Sequence, residues 1–133
     1  MLENVANPGY VLDNDAGMGR DSSVLVYDRH GAPNQLWEVN PEGGNTVQIR
    51  QRIGGEQLCA AAVFNGIAEV TMQDCNGNGA VTRWHQIAVG GNRWVYRNAA
   101  RYKCLASTRL NGPVQLVECA YGDQEQQWMK RAG

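Results

Sequence analysis

The 133-residue sequence predicts an all-β chain, and three observations carry that expectation. Turn-forming residues are dense: there are 16 glycines, with Gly-Gly at 43–44, 54–55 and 90–91 and Asn-Gly at 65–66, 76–77, 78–79 and 111–112. These dipeptides supply the positive φ that tight hairpin turns require. Between them, no long segment keeps its apolar residues at a helical period, and short apolar or alternating runs read as strands. The third observation is a motif ending in tryptophan that occurs three times. Gln35-Leu36-Trp37 and Gln126-Gln127-Trp128 are intact Gln-x-Trp copies, and Thr82-Arg83-Trp84 has lost the glutamine. The tryptophans are spaced by 47 and 44 residues, about a third of the chain. One unit of about 44 residues is therefore written three times, at about 1–44, 45–91 and 92–133, within a single domain over 1–133.

The first unit is the divergent one. Gly9-Tyr10-Val11-Leu12-Asp13 has Val11 where the other units carry their first cysteine. Val24-Leu25-Val26-Tyr27-Asp28-Arg29 has the pattern Val-x-apolar-x-acid-Cys, with Arg29 at the cysteine position and Trp37 eight residues on. A rival register sets Asp28 there and keeps nine; the Val-x-apolar-x-acid match favours Arg29.

In the second unit, Val47-Gln48-Ile49-Arg50 alternates as a half-buried strand does. Gly54-Gly55 turns the chain into Gln57-Leu58-Cys59-Ala60-Ala61-Ala62, and Asn65-Gly66 turns it into Val70-Thr71-Met72-Gln73-Asp74-Cys75. Trp84 follows nine residues after that cysteine. The third unit repeats this: Asn92 to Arg97 matches Asn45 to Arg50, Tyr102 to Ser107 holds Cys104, and Val114 to Cys119 matches Val70 to Cys75. Trp128 again lies nine residues beyond.

Cys59 and Cys75 are 16 residues apart and Cys104 and Cys119 are 15 apart. A unit with one cysteine of the pair has both, and the divergent unit has neither. Of the three connectivities that four cysteines allow, repeat logic selects 59–75 and 104–119. Four buried free thiols are the alternative. Disulfides imply an oxidising compartment and so a secreted or extracellular protein. Met1-Leu2-Glu3 carries neither a basic region nor an apolar core, so the expectation is that no signal peptide stands here and that the chain is a trimmed form.

The composition sets bounds. Hydrophobic residues make up 43% and charged residues 19%, as in an ordinary folded domain. The 12 basic and 13 acidic residues leave a formal charge of -1, with no basic stripe, which argues against a nucleic-acid partner. No apolar run approaches the roughly 18 residues that span a bilayer, so membrane insertion is not expected.

Three units, each ending at a Gln-x-Trp position and two with an internal cysteine pair, resemble the ricin-B-type (R-type lectin) β-trefoil over essentially the whole chain. Leu12-Asp13, Val70 to Cys75, Thr82-Arg83-Trp84 and Gln126-Gln127-Trp128 carry the resemblance. It implies a β-trefoil of twelve strands in three pseudo-symmetric repeats, with Trp37, Trp84 and Trp128 serving the core. It also implies carbohydrate binding. In R-type lectins a carboxylate lies two residues after the first cysteine and an aromatic two before the second. A glutamine often lies four before it, and an asparagine usually precedes the Gln-x-Trp glutamine.

Carried over residue by residue, the first unit offers Asp13, Tyr27, Asn34 and Gln35 as sugar-binding residues, with Asn14 and Asp15 as further polar groups beside Asp13. It departs at Leu25, where the glutamine is missing. The second unit has Ala61, Gln73 and Val81-Thr82 at these positions and reads as dead. The third has Ala106 and Val117; its Gln115 and Gln126 read as turn and core partners. The structural alternative is that Asp13 caps a turn and Tyr27 is a plain surface residue.

His30 and His85 occupy non-equivalent positions and read as surface or packing residues. Neither a nucleophile motif nor a phosphate loop is present, and Asp13-Asn14-Asp15-Ala16-Gly17 fails as a calcium loop at Gly17. The expectation is a non-catalytic lectin or binding module without cofactor or metal. Its first repeat takes a glycan or galactoside of galactose type, and a larger enzyme or toxin is a candidate partner. The competing class is a protein-binding trefoil, such as a protease inhibitor using Gly77-Asn78-Gly79-Ala80 or Ala99-Ala100-Arg101-Tyr102, or an assembly and targeting subunit.

Overall fold

A computed structural model describes residues 1–132. Thirteen strands follow in chain order: β1 Leu2–Asn4, β2 Tyr10–Asn14, β3 Val24–Asp28, β4 Glu38–Gly43, β5 Thr46–Ile53, β6 Glu56–Ala61, β7 Thr71–Asp74, β8 Trp84–Ala88, β9 Arg93–Asn98, β10 Cys104–Ala106, β11 Gly112–Pro113, β12 Gln115–Val117 and β13 Trp128–Lys130. The expected twelve become thirteen because the third repeat's penultimate strand is interrupted at Val114, between Pro113, which has no N–H to donate, and Gln115. All ladders are antiparallel. One path of pairing runs β4–β5–β8–β9–β13–β1, and hairpins β2–β3, β6–β7 and β10–β12 attach to it.

The pairing register settles the divergent repeat. Val11 faces Tyr27, Cys59 faces Gln73 and Cys104 faces Val117. Tyr27 thus occupies the position two before the second cysteine, and Arg29 takes the cysteine position. The cysteines pair as 59–75 and 104–119, with no free thiol. In the first repeat, hydrogen bonds close the loop that a disulfide would hold: the Gln35 amide donates to Asp28 O at 2.8 Å and accepts from the His30 and Gly31 N–H at 2.8 and 3.0 Å.

Three sets of threefold-related contacts hold the fold. Val24, Val70 and Val114 are all fully buried, and their backbones link by Val24 N–H to Val70 O and Val114 N–H to Val24 O, both 3.0 Å. Each motif tryptophan donates its indole N–H to the carbonyl following the first cysteine position: Trp37 to Leu12, Trp84 to Ala60 and Trp128 to Leu105, at 2.9, 2.9 and 3.3 Å. Asn4, Gln51 and Asn98 each reach from one repeat to the residue before the Gln-x-Trp position of the preceding one. Their amides donate to Glu125 O, Asn34 O and Val81 O at 2.9, 3.0 and 3.0 Å. The repeats are therefore latched head to tail in a cycle.

Trp84 and Trp128 are fully buried, as the repeat reading requires. Trp37 corrects it: it packs against the core but is only partly buried. Strand β4 pairs with β5 alone, whereas β8 and β13 each have a strand on both sides. In the second repeat, where Thr82 replaces the glutamine, Gln48 does that work from β5, donating to Cys75 O at 2.9 Å and to Thr82 Oγ at 3.2 Å.

Candidate functional site

The hairpin of β2 and β3 builds one wall of a cleft in the first repeat. Opposed residues share a face in an antiparallel pair, and successive residues alternate between faces. Leu12, Val24 and Val26 therefore enter the core, while Asp13, opposite Leu25, and Val11, opposite Tyr27, lie on the other face. A cleft of about 230 Å³ opens there, lined by Asp13, Asp15, Ala16, Leu25, Tyr27, His30 and Asn34.

Asp13 stands at its base, 3% exposed, and Tyr27 at its rim, 40% exposed. The carboxylate is held from behind. Asn34 Nδ2 donates to Oδ1 at 3.0 Å and Gln35 Nε2 donates to Oδ2 at 2.9 Å. Asn34 is itself fixed by a second bond to Asn14 O at 3.3 Å and, through its carbonyl, by the Gln51 latch. Burial pushes the Asp13 carboxyl above its ordinary range and neighbouring Asp15 adds to the rise; the Gln35 and Asn34 hydrogen bonds and His30 oppose it. Each carboxylate oxygen has an accepting lone pair left over, so the group can receive two further hydroxyl donors from the cleft.

The structure brings Asp13, Tyr27 and Asn34 into the cleft wall. Gln35 stands one layer behind, fully buried, and its geometry makes it the residue that aims Asp13. Asp15 reaches the cleft; Asn14 does not. Its side chain turns away to donate to Met18 O and Gln51 Oε1 and to accept from Ser22 Oγ.

His30 is a surface residue, as expected, and it adds to the cleft a position that the sequence reading did not name. It lines the cleft, with Nε2 3.7 Å from Asp13 Oδ2. Its Nδ1 accepts from the Ala32 N–H at 3.1 Å, which leaves the Nε2 side facing the carboxylate. The available signal was its position in the loop that leads from Tyr27 to Asn34, one residue beyond the cysteine position.

The corresponding faces of the other repeats lack this arrangement. Ala61 replaces the carboxylate in the second, and Gln73 is engaged by Asp21 Oδ1 at 2.8 Å and Thr71 Oγ at 2.9 Å. The third presents Ala106 and Val117, and its Gln115 is taken by the Thr108 hydroxyl. Gln126 bridges Glu118 O and the Ala120 N–H, the turn role expected of it. Among the described residues, no group of three or more His, Cys, Asp or Glu is placed to hold a metal ion. Among the described residues no helix is long and apolar enough to cross a membrane, which says nothing of a β-barrel.

A family model, the ricin-type β-trefoil lectin domain, matches residues 1–128, and the chain belongs to that family. Such domains bind carbohydrate and are generally non-catalytic. Among curated proteins it is similar to N-acetylgalactosaminyltransferase 4 of Drosophila melanogaster, at 26% identity over 144 residues. That match covers 96% of this chain, which spans about a fifth of the relative's length (20%). Among solved structures, the designed 3-fold symmetric protein ThreeFoil superposes with a TM-score of 0.80 at 21% identity, covering 96% of this chain and 94% of its own. The Rhizoctonia solani agglutinin does so with a TM-score of 0.73 at 21% identity, covering 96% and 89%. A mosquitocidal holotoxin matches with a TM-score of 0.79 at 19% identity, covering 96% of this chain and 16% of the toxin.

Proposed function

We propose that this domain is a non-catalytic lectin that holds one galactose-type sugar in the cleft of its first repeat. The observation that carries the reading is the pre-aimed Asp13 carboxylate set beside Tyr27 in the same small cleft. Neighbouring sugar hydroxyls donate to Asp13, and the Asn34 amide stands beside it to take part. Ring chemistry supports the galactose type: an axial 4-hydroxyl leaves the C3, C4 and C5 hydrogens together on one apolar face, which suits the Tyr27 ring. One such site gives affinity in the millimolar to micromolar range, and useful avidity then comes from tandem or clustered copies. The two disulfides support a secreted or extracellular setting. The short span against the transferase and the holotoxin supports a partner that is a larger enzyme or toxin.

The test is a glycan array followed by titration with methyl β-galactoside. Binding of galactose-terminated glycans, lost in the Asp13→Ala variant, is the expected result. Inhibition of a protease panel without any glycan signal would instead support the protein-binding reading.

A further inference from the structure

One recess on the surface lies away from all three threefold-related sugar positions. It lies between the second and third repeats, measures about 380 Å³, and is lined by Ala62, Phe64, Glu69, Arg101, Lys103 and Leu116. Phe64, the single phenylalanine of the chain, is 68% exposed. That exposure is built in, because the loop carrying it is tied down at the next residue. Asn65 Oδ1 accepts the Ile67 and Ala68 N–H groups at 2.8 and 2.7 Å, and its Nδ2 donates to Ser23 Oγ at 2.9 Å. An aromatic ring exposed to water on an anchored loop is a binding feature more than a packing one.

The recess also holds two cationic side chains, Arg101 and Lys103. Arg101 is set by its backbone N–H to Asn98 Oδ1 at 3.0 Å and its Nε to Ala62 O at 3.4 Å. Among the described residues no carboxylate pairs with its guanidinium, which leaves its terminal nitrogens available to a ligand. Lys103 has only the exposed Glu118 at 3.9 Å. Glu69 contributes an acceptor and keeps one oxygen on the Leu116 N–H at 3.2 Å. An exposed aromatic face, a free guanidinium fork and a carboxylate acceptor are complementary to one ligand type. Its ring has an apolar C–H side, it carries hydroxyls that donate, and it bears a carboxylate that takes two parallel N–H bonds.

We propose that this recess is a second binding site that takes an acidic sugar, a carboxylate-bearing pyranose such as a sialic or uronic acid. Its carboxylate lies on Arg101 with Lys103 nearby, its apolar face on Phe64 and its hydroxyls toward Glu69. The site is independent of Asp13. It makes the domain a reader of two differently charged sugars.

Titration with methyl α-N-acetylneuraminide and methyl β-glucuronide, each beside its neutral methyl ester, tests this by residue-resolved NMR. At least one acid should bind with shifts at Phe64, Glu69 and Arg101, and its ester at least about tenfold more weakly, the equivalent of losing 1.4 kcal/mol. Phe64→Ala and Arg101→Ala change exposed side chains and should keep the fold while each weakening binding by about tenfold or more. Asp13→Asn should leave it unchanged. Equal binding of acid and ester, silence of both recess variants, binding of neither acid, or displacement by an acidic peptide with higher affinity than either sugar overturns the proposal.

Discussion

The buried amide of Gln35 donates to Asp13 Oδ2 at 2.9 Å while its oxygen accepts two backbone N–H groups of the loop that carries His30. One side chain therefore joins the closure of the repeat to the aim of its carboxylate. Replacing it with alanine leaves the Asp28 carbonyl and the His30 and Gly31 N–H groups without these partners. Gln35→Ala should lose about 1–3 kcal/mol of unfolding free energy. It should also weaken sugar binding at temperatures where the variant is folded. Urea denaturation and galactoside titration on the same sample check both, and a loss of stability with unaltered affinity would separate the two roles.

The Asn98 latch and Trp84 act on the fold and not on the first-repeat cleft. Asn98 is fully buried and donates to Val81 O while accepting from the Ala100 and Arg101 N–H groups. Asn98→Ala should cost about 1–3 kcal/mol by leaving these groups unpaired. Trp84→Ala, which empties a fully buried site, should cost about 3–5 kcal/mol. Neither lies in the first-repeat cleft, so galactoside affinity measured below the melting transition should stay within about twofold, equivalent to a few tenths of a kcal/mol.

Reduction separates the repeats in another way. The two disulfides close loops of 16 and 15 residues, and each contributes about 3 kcal/mol in the chain-entropy account. The cleft sits in the repeat that has none. Under reducing conditions the melting temperature should fall while the folded fraction keeps its affinity for sugar, as scanning calorimetry and titration with and without reductant will read.

Acid should silence the site before it would silence an ordinary aspartate. Burial raises the Asp13 pKa above the ordinary aspartate range, and only the ionised form accepts both hydroxyl donors. Galactoside affinity should therefore fall on acidification at a higher pH than an ordinary aspartate would give. Stability moves the opposite way for this group. A folded-state pKa raised above the unfolded one stabilises fully below the unfolded pKa and loses that contribution as pH rises through the folded pKa. The parent should thus gain stability relative to Asp13→Asn on acidification, a difference that paired urea titrations at pH 3 to 7 measure directly.

The sequence carried the threefold frame because turns, alternation and the recurring tryptophan are local features with strict spacing. Val24, Val70 and Val114 were legible as equivalents for the same reason. The site was legible in part. Asp13 and Tyr27 meet because strand register fixes them, and Asn34 joins them from the short helical turn Pro33–Gln35. His30 was missed because its place depends on how the Gly31 loop folds back, which strand periodicity does not encode. Trp37 was expected in the core because the motif alone says nothing of which strands flank it. The Gln48 substitution for the lost glutamine of the second repeat lies 34 residues from Thr82 and has no local signal.

The most direct test is a residue-resolved NMR titration with methyl β-galactoside, run on the parent chain and on Asp13→Asn. Shifts confined to the first-repeat cleft, at Asp13, Tyr27, His30 and Asn34, and abolished in a still-folded Asp13→Asn variant, are the predicted result. Saturable binding that persists in that variant, or that maps to the second or third repeat, would contradict the account.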